Sequence, residues 1–244
     1  MYNFSEKQFE EVHSLLLGLL KVFRDICEAE GVWYTLAYGT VLGAVRHKGF
    51  IPWDADVDVC VKLCDVDKFR QAFYKHSPEG IVLNDRSRNP KNTKSHDTLA
   101  YDRNVGYPDI HLDIYPLVGA PEDAAFRKRY RKYSYNLGRI FKSKYVDISE
   151  CLDKNKPIVF IVKMIGKLIP NKFIKANIHN RETKYDMDKS NYWMCLSCSY
   201  DAIPKSVWAT RALLQFEDDE FYGPGDWDLY LKSLYGDYMT PRKS

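Results

Sequence analysis

Three aspartates, Asp54, Asp56 and Asp58, stand at alternate positions. They lead into a segment in which valine also recurs at every second position. Valine at every second position from Val57 to Val61 has the period of a β-strand, so Asp56 and Asp58 project from its opposite face. Successive residues on one strand face lie about 6 to 7 Å apart, which lets two carboxylates converge on one cation. Hard, mutually repelling oxygen ligands favour Mg²⁺ or Mn²⁺. The spacing predicts a divalent-metal site, and a solvated strand face is the alternative.

The same spacing of acids recurs at Asp65 and Asp67, in different surroundings. The apolar residues Phe69, Ala72 and Phe73 have helical spacing. We therefore expect Asp65 at the N-cap of a helix over about 65–76, with Asp67 in its first turn. This second pair is predicted to be structural.

A glycine-threonine turn and a basic loop precede the acidic strand. Gly39 and Thr40 follow an apolar run and open a short helical segment. Glycine permits close approach, threonine offers a hydroxyl, and a helix N-terminus offers unpaired amides, so the turn predicts a phosphate site. Arg46, His47 and Lys48 add positive charge before the acids. An ordinary turn and a solvated loop explain each part alone, but their combination favours phosphate chemistry.

The elements around these residues predict a small sheet flanked by helices. A capping box at Ser5–Gln8 starts an amphipathic N-terminal helix. Strands are expected at 57–61, 81–83, 99–101 and 110–115, and helices dominate the second half from about residue 122. The order of elements predicts the α+β class.

The run Gly39–Val59 closely resembles the signature of the LicD family. The similarity extends to His111–Leu117, to Phe216–Asp218 and to Tyr235–Met239. The resemblance implies a nucleotidyltransferase-like fold with a small mixed sheet flanked by helices and a mainly helical C-terminal half. It implies a single catalytic domain over the whole chain.

Within that domain, we expect a nucleotidyltransferase-like core at 1–120 and a substrate-binding portion at 121–244. The resemblance places Asp56 and Asp58 as metal ligands on the first acidic strand and Asp113, on a later strand, as the third ligand. The alternation at 110–115 agrees, because Asp113 would face away from the apolar side. Weaker ligand choices, for which loop solvation is expected, are Asp97, Asp102 and Asp109.

The resemblance further implies Mg²⁺-dependent (or Mn²⁺-dependent) transfer of a phospho-alcohol from a CDP-linked donor to a sugar hydroxyl. The acceptor would be a glycan or lipid-linked glycan precursor of lipopolysaccharide, teichoic acid or capsule. Phosphocholine is the favoured group, with glycerol phosphate and ribitol phosphate as alternatives. Two other functions remain open: a nucleotidyltransferase that uses an NTP on a small molecule or protein, and an inactive module that binds a phospho-glycan.

Roles for the remaining candidate residues follow from this reaction. The basic residues at 46–48 would neutralise phosphate oxygens, and Asp54 would help to deprotonate the acceptor hydroxyl. Trp53 is a candidate to hold a trimethylammonium by cation–π attraction. Glu217 and Asp218 would bind acceptor hydroxyls, and their alternative is a surface hairpin anchored by Phe216 and Phe221.

Composition limits the partners. The chain has 244 residues, of which 45% are hydrophobic, enough for a sizeable core. Its net charge of +3 lacks the strong basic footprint of a nucleic-acid binder. The N-terminus lacks the pattern of a secretory signal, so a cytoplasmic location is expected. Six scattered cysteines predict free thiols rather than a disulfide framework.

The most hydrophobic segment is Pro157–Pro170, which Lys163 and Lys167 interrupt. It is too short to span a bilayer, so a buried or interfacial helix is expected. Peripheral contact with the inner face of the cytoplasmic membrane, through this segment with Lys172 and Lys175, is a hypothesis.

Overall fold

The computed structural model describes residues 4–88, 94, 96–107, 109–148, 155–198, 200 and 202–240. The helices are α1 (Glu6–Ala29), α2 (Tyr38–His47), α3 (Leu63–His76), α4 (Ala124–Ser143), α5 (Lys156–Leu168), α6 (Asn171–Glu182) and α7 (Trp227–Tyr235). The strands are β1 (Tyr34–Leu36), β2 (Val57–Lys62), β3 (Ile81–Asn84), β4 (Asp97–Tyr101), β5 (His111–Ala120), β6 (Tyr192–Met194), β7 (Ile203–Pro204), β8 (Arg211–Phe216) and β9 (Asp219–Pro224). The expected α+β class, with a mixed sheet flanked by helices, is confirmed.

The chain divides into two compact units. The first contains Met1–Asn84, Asp97–Leu117 and Ile203–Ser244, and the second contains Asp85–His96 and Val118–Ala202. All the site residues predicted from the sequence lie in the first unit.

The sheet of the first unit has the strand order β1-β2-β5-β4-β3. β2 and β5 run parallel, and every other neighbouring pair is antiparallel. One face of this sheet carries fully buried apolar side chains such as Val59 and Leu112. α1 and α3 cover that face, since the Phe23 ring contacts the rings of Tyr34 on β1 and Phe69 on α3. The opposite face is therefore the one available for chemistry.

Of the two helix starts that the sequence predicts, one is confirmed and one is wrong. The capping box of α1 is confirmed, because the Ser5 hydroxyl accepts from the Gln8 amide and the Gln8 side chain accepts from the Ser5 amide. The N-cap assigned to Asp65 is wrong: α3 begins at Leu63, directly after β2, and Asp65 lies in its first turn. Asp67 forms an ion pair with Arg70 on the same helix at 2.7 Å, so the structural interpretation of this second pair holds.

Asp97 was expected to be a solvated loop residue, and this is wrong. It begins β4, is 2% exposed, and accepts two hydrogen bonds from the Arg70 guanidinium at 2.8 and 3.0 Å. The alternation that identifies a strand fails here because a buried ion pair occupies an apolar position.

The second unit is built on α4, α5 and α6. Leu137 and Phe141 of α4 pack with Ile174 and Ile178 of α6. The last residues of β5 pair with β6 within the same unit. The buried Glu182 accepts two hydrogen bonds from the Arg86 guanidinium, at 2.6 and 2.9 Å.

Five cysteines are free thiols, as expected: Cys27, Cys60, Cys64, Cys195 and Cys198. Cys151 lies outside the described residues. Within the described part of the chain, no helix combines the length and apolar character needed to cross a membrane.

Candidate active site

Asp58 and Asp113 are directly opposed on neighbouring parallel strands. The register of β2 and β5 pairs these two residues, so their Cα atoms are about 4.8 Å apart and their side chains leave the same face. The Asp113 side chain is 14% exposed, and Asp58 is half-buried. The sequence predicted each acid's face from alternation, and the register brings the two acids together.

The same face continues the polar row across two further strands. Thr98 of β4 is the register partner of Asp113, and Asn84 of β3 is the partner of Thr98. The Asn84 amide donates to the Thr98 hydroxyl at 3.2 Å. Four polar residues at paired positions, Asp58, Asp113, Thr98 and Asn84, thus line this face of the sheet and can form hydrogen bonds there. The last two residues were missed, because antiparallel pairing partners cannot be read from local spacing.

Asp113 is flanked on its own strand by His111 and Tyr115. His111 Nε2 lies 3.4 Å from one carboxylate oxygen of Asp113, and the Tyr115 hydroxyl donates to the other at 3.4 Å. Alternation had placed both residues on this face without assigning them a role. They restrict the orientation of the Asp113 carboxylate.

The predicted turn forms the start of α2. Gly39 is partly exposed, and within the described part of the chain no acceptor bonds its amide, which suits a phosphate oxygen. The preceding Tyr38 has a φ of 46°, a conformation that non-glycine residues rarely adopt. Its amide donates to the buried Tyr230 hydroxyl of α7 at 3.0 Å, and its ring packs edge-on against Tyr115. No local signal identifies Tyr230, which is 192 residues away.

Thr40 joins the turn to the acidic strand. Its hydroxyl oxygen accepts a hydrogen bond from the Asp58 backbone amide at 2.9 Å, and the residue is 5% exposed. The hydroxyl proton remains available to donate. Thr40 therefore fixes the distance between the phosphate turn and the carboxylate pair.

Replacing Thr40 with valine is expected to lower turnover by about 10- to 100-fold, because the buried Asp58 amide loses its acceptor at a cost of about 1–3 kcal/mol. Thr40→Ser keeps the oxygen and should retain most of the activity. Steady-state kinetics and thermal unfolding of the valine and serine variants check this. Equal losses in the serine and valine variants would contradict the positioning role.

Asp54 and Asp56 precede the strand and interact with each other. Burial, followed by the charge of Asp56 and a hydrogen bond to it, raises the pKa of Asp54 to about 7. A Cβ on Gly39 would lie 3.1 Å from an Asp54 carboxylate oxygen, so a larger residue at the turn would require this carboxylate to shift by a few tenths of an ångström. The His13 ring lies 2.7 Å, through Nε2, from the Asp54 carbonyl oxygen, which anchors the loop. Asp54 is therefore held against the phosphate turn.

The acids at this site are oxygen donors, the ligand type that a hard divalent cation prefers. The carboxylates of Asp54 and Asp56 share a hydrogen bond, and Asp58 and Asp113 face each other, so a cation would relieve repulsion at both places. Across the described ranges, however, no group of three or more His, Cys, Asp or Glu side chains is arranged to hold a metal ion. The ligand set Asp56, Asp58 and Asp113 stays a prediction.

The basic residues lie at the far end of α2, about 10 to 14 Å along the helix from Gly39. Arg46 donates to the Tyr238 carbonyl oxygen at 3.1 Å and to His47 Nε2 at 2.9 Å. Partial burial and the Arg46 charge lower the pKa of His47. Lys48 is exposed and ends the helix in the left-handed conformation. Their contact with phosphate stays a prediction.

The Trp53 ring lies beside this basic segment. It is 57% exposed and stands edge-on to the His47 ring, with 6.2 Å between the ring centroids. An exposed indole face suits a cationic alcohol. Its role in donor binding stays a prediction.

Glu217 and Asp218 occupy the turn of the β8–β9 hairpin, whose Phe216 and Phe221 are buried. A Glu217 carboxylate oxygen accepts from the Phe50 amide at 2.8 Å, and the Glu217 amide donates to the Lys48 carbonyl oxygen at 2.7 Å. Glu217 thus holds the loop that leads from α2 to the acids.

Asp218 points to α1 instead. Its carboxylate forms an ion pair with Lys21 at 2.9 Å, and that contact lowers the pKa of Asp218. Through these contacts, Glu217 and Asp218 both serve to hold the β8–β9 hairpin against neighbouring elements. Their binding to an acceptor sugar stays a prediction.

A family model described as the nucleotidyltransferase domain of LicD/FKTN/FKRP matches residues 31–156, just over half of the chain. The chain belongs to the LicD family. The match contains the turn, both strands of the carboxylate pair and the basic segment. Glu217, Asp218 and Tyr230 lie beyond it, so the C-terminal supports of the site come from outside the matched domain.

Two LicD relatives differ in how much of the chain they match. The lipopolysaccharide cholinephosphotransferase LicD of Haemophilus influenzae is 23% identical over 248 aligned positions, covering 94% of this chain and 90% of the relative. The human ribitol 5-phosphate transferase FKRP is 43% identical over 61 positions, covering 25% of this chain and 12% of FKRP. The protein is thus a LicD-like phosphotransferase.

Proposed function

We propose that the protein transfers a phospho-alcohol from a CDP-linked donor to a sugar hydroxyl of a cell-surface glycan precursor. The observation that carries this proposal is the register pairing of Asp58 with Asp113, beside a helix N-terminus that Thr40 ties to Asp58. Paired carboxylates next to the Gly39 amide, which no acceptor bonds in the described part of the chain, form a site for a cation-bound diphosphate. Phosphocholine is the favoured group, because the relative that matches most of the chain is named a cholinephosphotransferase.

Each group of residues has one task in this reaction. The Gly39 amide and the start of α2 would bind phosphate oxygens, and Arg46 and Lys48 would neutralise the leaving nucleotide. Asp54, beside the turn, would accept the proton of the attacking sugar hydroxyl. Trp53 would hold the alcohol.

Asp56, Asp58 and Asp113 would hold Mg²⁺ or Mn²⁺, which supplies positive charge against the diphosphate when bound. The chain's own contribution is orientation. His111 and Tyr115 fix the Asp113 carboxylate, and Thr40 fixes the strand that carries Asp58.

Thermal unfolding with a donor panel tests the proposal. CDP-choline with Mg²⁺ is expected to raise the melting temperature by about 5 °C or more at 100 times its Kd, because a ligand that binds only the native state stabilises it. CDP-glycerol and CDP-ribitol serve as the alternative donors, and CTP as the control. Stabilisation by CTP but by none of the CDP-alcohols would contradict phospho-alcohol transfer and favour nucleotidyl transfer.

A further inference from the structure

The outward face of α5 is apolar. Six of its side chains are 50% to 83% exposed: Ile158, Phe160, Ile161, Met164, Ile165 and Leu168. The only fully buried residue of the helix is Gly166. In contrast, the buried residues of α1 are all apolar or cysteine, and its exposed positions are mainly polar. α5 therefore presents to its surroundings a surface that a water-facing helix normally hides.

Packing within the second unit fixes this orientation. A Cβ on Gly166 would lie 3.1 Å from the Lys144 side chain and 3.2 Å from the Ile140 carbonyl oxygen, so α5 touches α4 at this glycine. On the same side, Lys163 donates to the Val146 carbonyl oxygen at 2.7 Å. Rotating α5 to bury its apolar face would bring larger side chains against α4. The exposed face follows from this close contact.

The three helices of the second unit carry a strong excess of positive charge. α4, α5 and α6 together contain thirteen Lys or Arg residues and one acid, Glu182. That acid is 3% exposed and bonded to Arg86, so these helices offer no exposed carboxylate. The whole chain is nearly balanced, with 36 basic and 33 acidic residues. The local excess therefore complements an anionic surface.

We propose that α5 binds an anionic lipid bilayer by lying in its headgroup region, with the apolar face toward the acyl chains. Thirteen residues of helix extend about 20 Å, shorter than the roughly 30 Å hydrocarbon core, so α5 lies along the surface rather than across the bilayer. Lys167 and Lys172 are exposed beside the apolar residues and reach the headgroups. Phe173, near the start of α6, is a further apolar side chain of this unit that is 59% exposed. This inference goes beyond the proposed reaction and does not depend on it.

Flotation of the full-length protein with vesicles tests the proposal. The wild type should bind phosphatidylcholine vesicles containing phosphatidylglycerol and bind pure phosphatidylcholine vesicles about tenfold less. Ile161→Glu/Leu168→Glu should reduce binding to the anionic vesicles about tenfold or more, because both substituted side chains would enter the apolar region. Lys167→Gln/Lys172→Gln, which keeps the apolar face, should lower the preference for anionic vesicles.

A matched control places the same charges elsewhere. Leu213 and Met239 are each 55% exposed in the first unit, and Leu213→Glu/Met239→Glu should bind vesicles like the wild type. Absence of wild-type recruitment, or an equal loss in this control, would overturn the proposal. Light scattering without lipid supplies a further test: a wild-type dimer that Ile161→Glu/Leu168→Glu converts to monomers would assign the face to a second copy instead.

Discussion

Replacing Asp58 with asparagine is expected to reduce phospho-alcohol transfer on the order of 10³-fold, because it removes one of two opposed carboxylates at the proposed diphosphate site. The fold should remain intact. Asparagine has the same shape, the Asp58 amide keeps its bond to Thr40, and the loss of one negative charge relieves repulsion with Asp113. Turnover measured with CDP-choline and Mg²⁺, beside thermal unfolding, checks both statements.

Asp67→Asn is the control for this variant. Asp67 belongs to the second Asp-x-Asp pair of the chain, and its side chain is 82% exposed on α3. The substitution removes the same charge from the same kind of pair and should leave turnover within about twofold of the wild type. Near-normal activity in Asp58→Asn would contradict a role for the Asp58–Asp113 pair in the reaction.

Replacing Asp97 with asparagine is expected to destabilise the protein by about 3 kcal/mol, because it leaves the Arg70 charge without its buried partner. Asparagine keeps one acceptor oxygen but loses the other and the negative charge. The Arg70 side chain is 11% exposed, so solvent cannot replace what is lost. For a chain of this size, that loss lowers the melting temperature by about 10 °C. Thermal unfolding at pH 7 measures it.

The exposed partner of Arg70 again provides the comparison. Asp67→Asn breaks the 2.7 Å ion pair on the outside of α3 and should change the free energy of unfolding by less than about 1 kcal/mol. Comparable losses in the two variants would show that burial does not determine the strength of the Arg70–Asp97 pair.

The sequence predicts the parts of the site that depend on local period. Alternation places Asp58 and Asp113 on polar strand faces, and the glycine-threonine turn marks the start of α2. These signals are local because a strand exposes every second residue and a helix starts where amides are unpaired. They do not predict that Asp58 and Asp113 are paired across two strands, because strand pairing depends on segments that are distant in the sequence.

The remaining supports of the site come from sequence-distant contacts. Tyr230 bonds the Tyr38 amide, and Glu217 holds the Phe50 amide across 167 residues. No local pattern distinguishes Tyr230 from an ordinary helix residue. The resemblance singled out Glu217 for binding the acceptor, but nothing in the local sequence indicates its bond to the Phe50 amide. Asp97 was misassigned for a related reason: its partner Arg70 lies on α3, and only packing brings them together. Local spacing thus identified the strand faces that carry the paired acids, and tertiary contacts determine how these acids are held.

Product analysis tests the central claim most directly. The enzyme would be incubated with CDP-choline labelled in the choline, Mg²⁺ and a glycan acceptor, and CMP, pyrophosphate and labelled glycan would be measured. We expect one CMP for each labelled choline on the glycan and no pyrophosphate. Pyrophosphate release from an NTP with the nucleotide attached to an acceptor, or no turnover with CDP-choline, CDP-glycerol or CDP-ribitol, would contradict phospho-alcohol transfer.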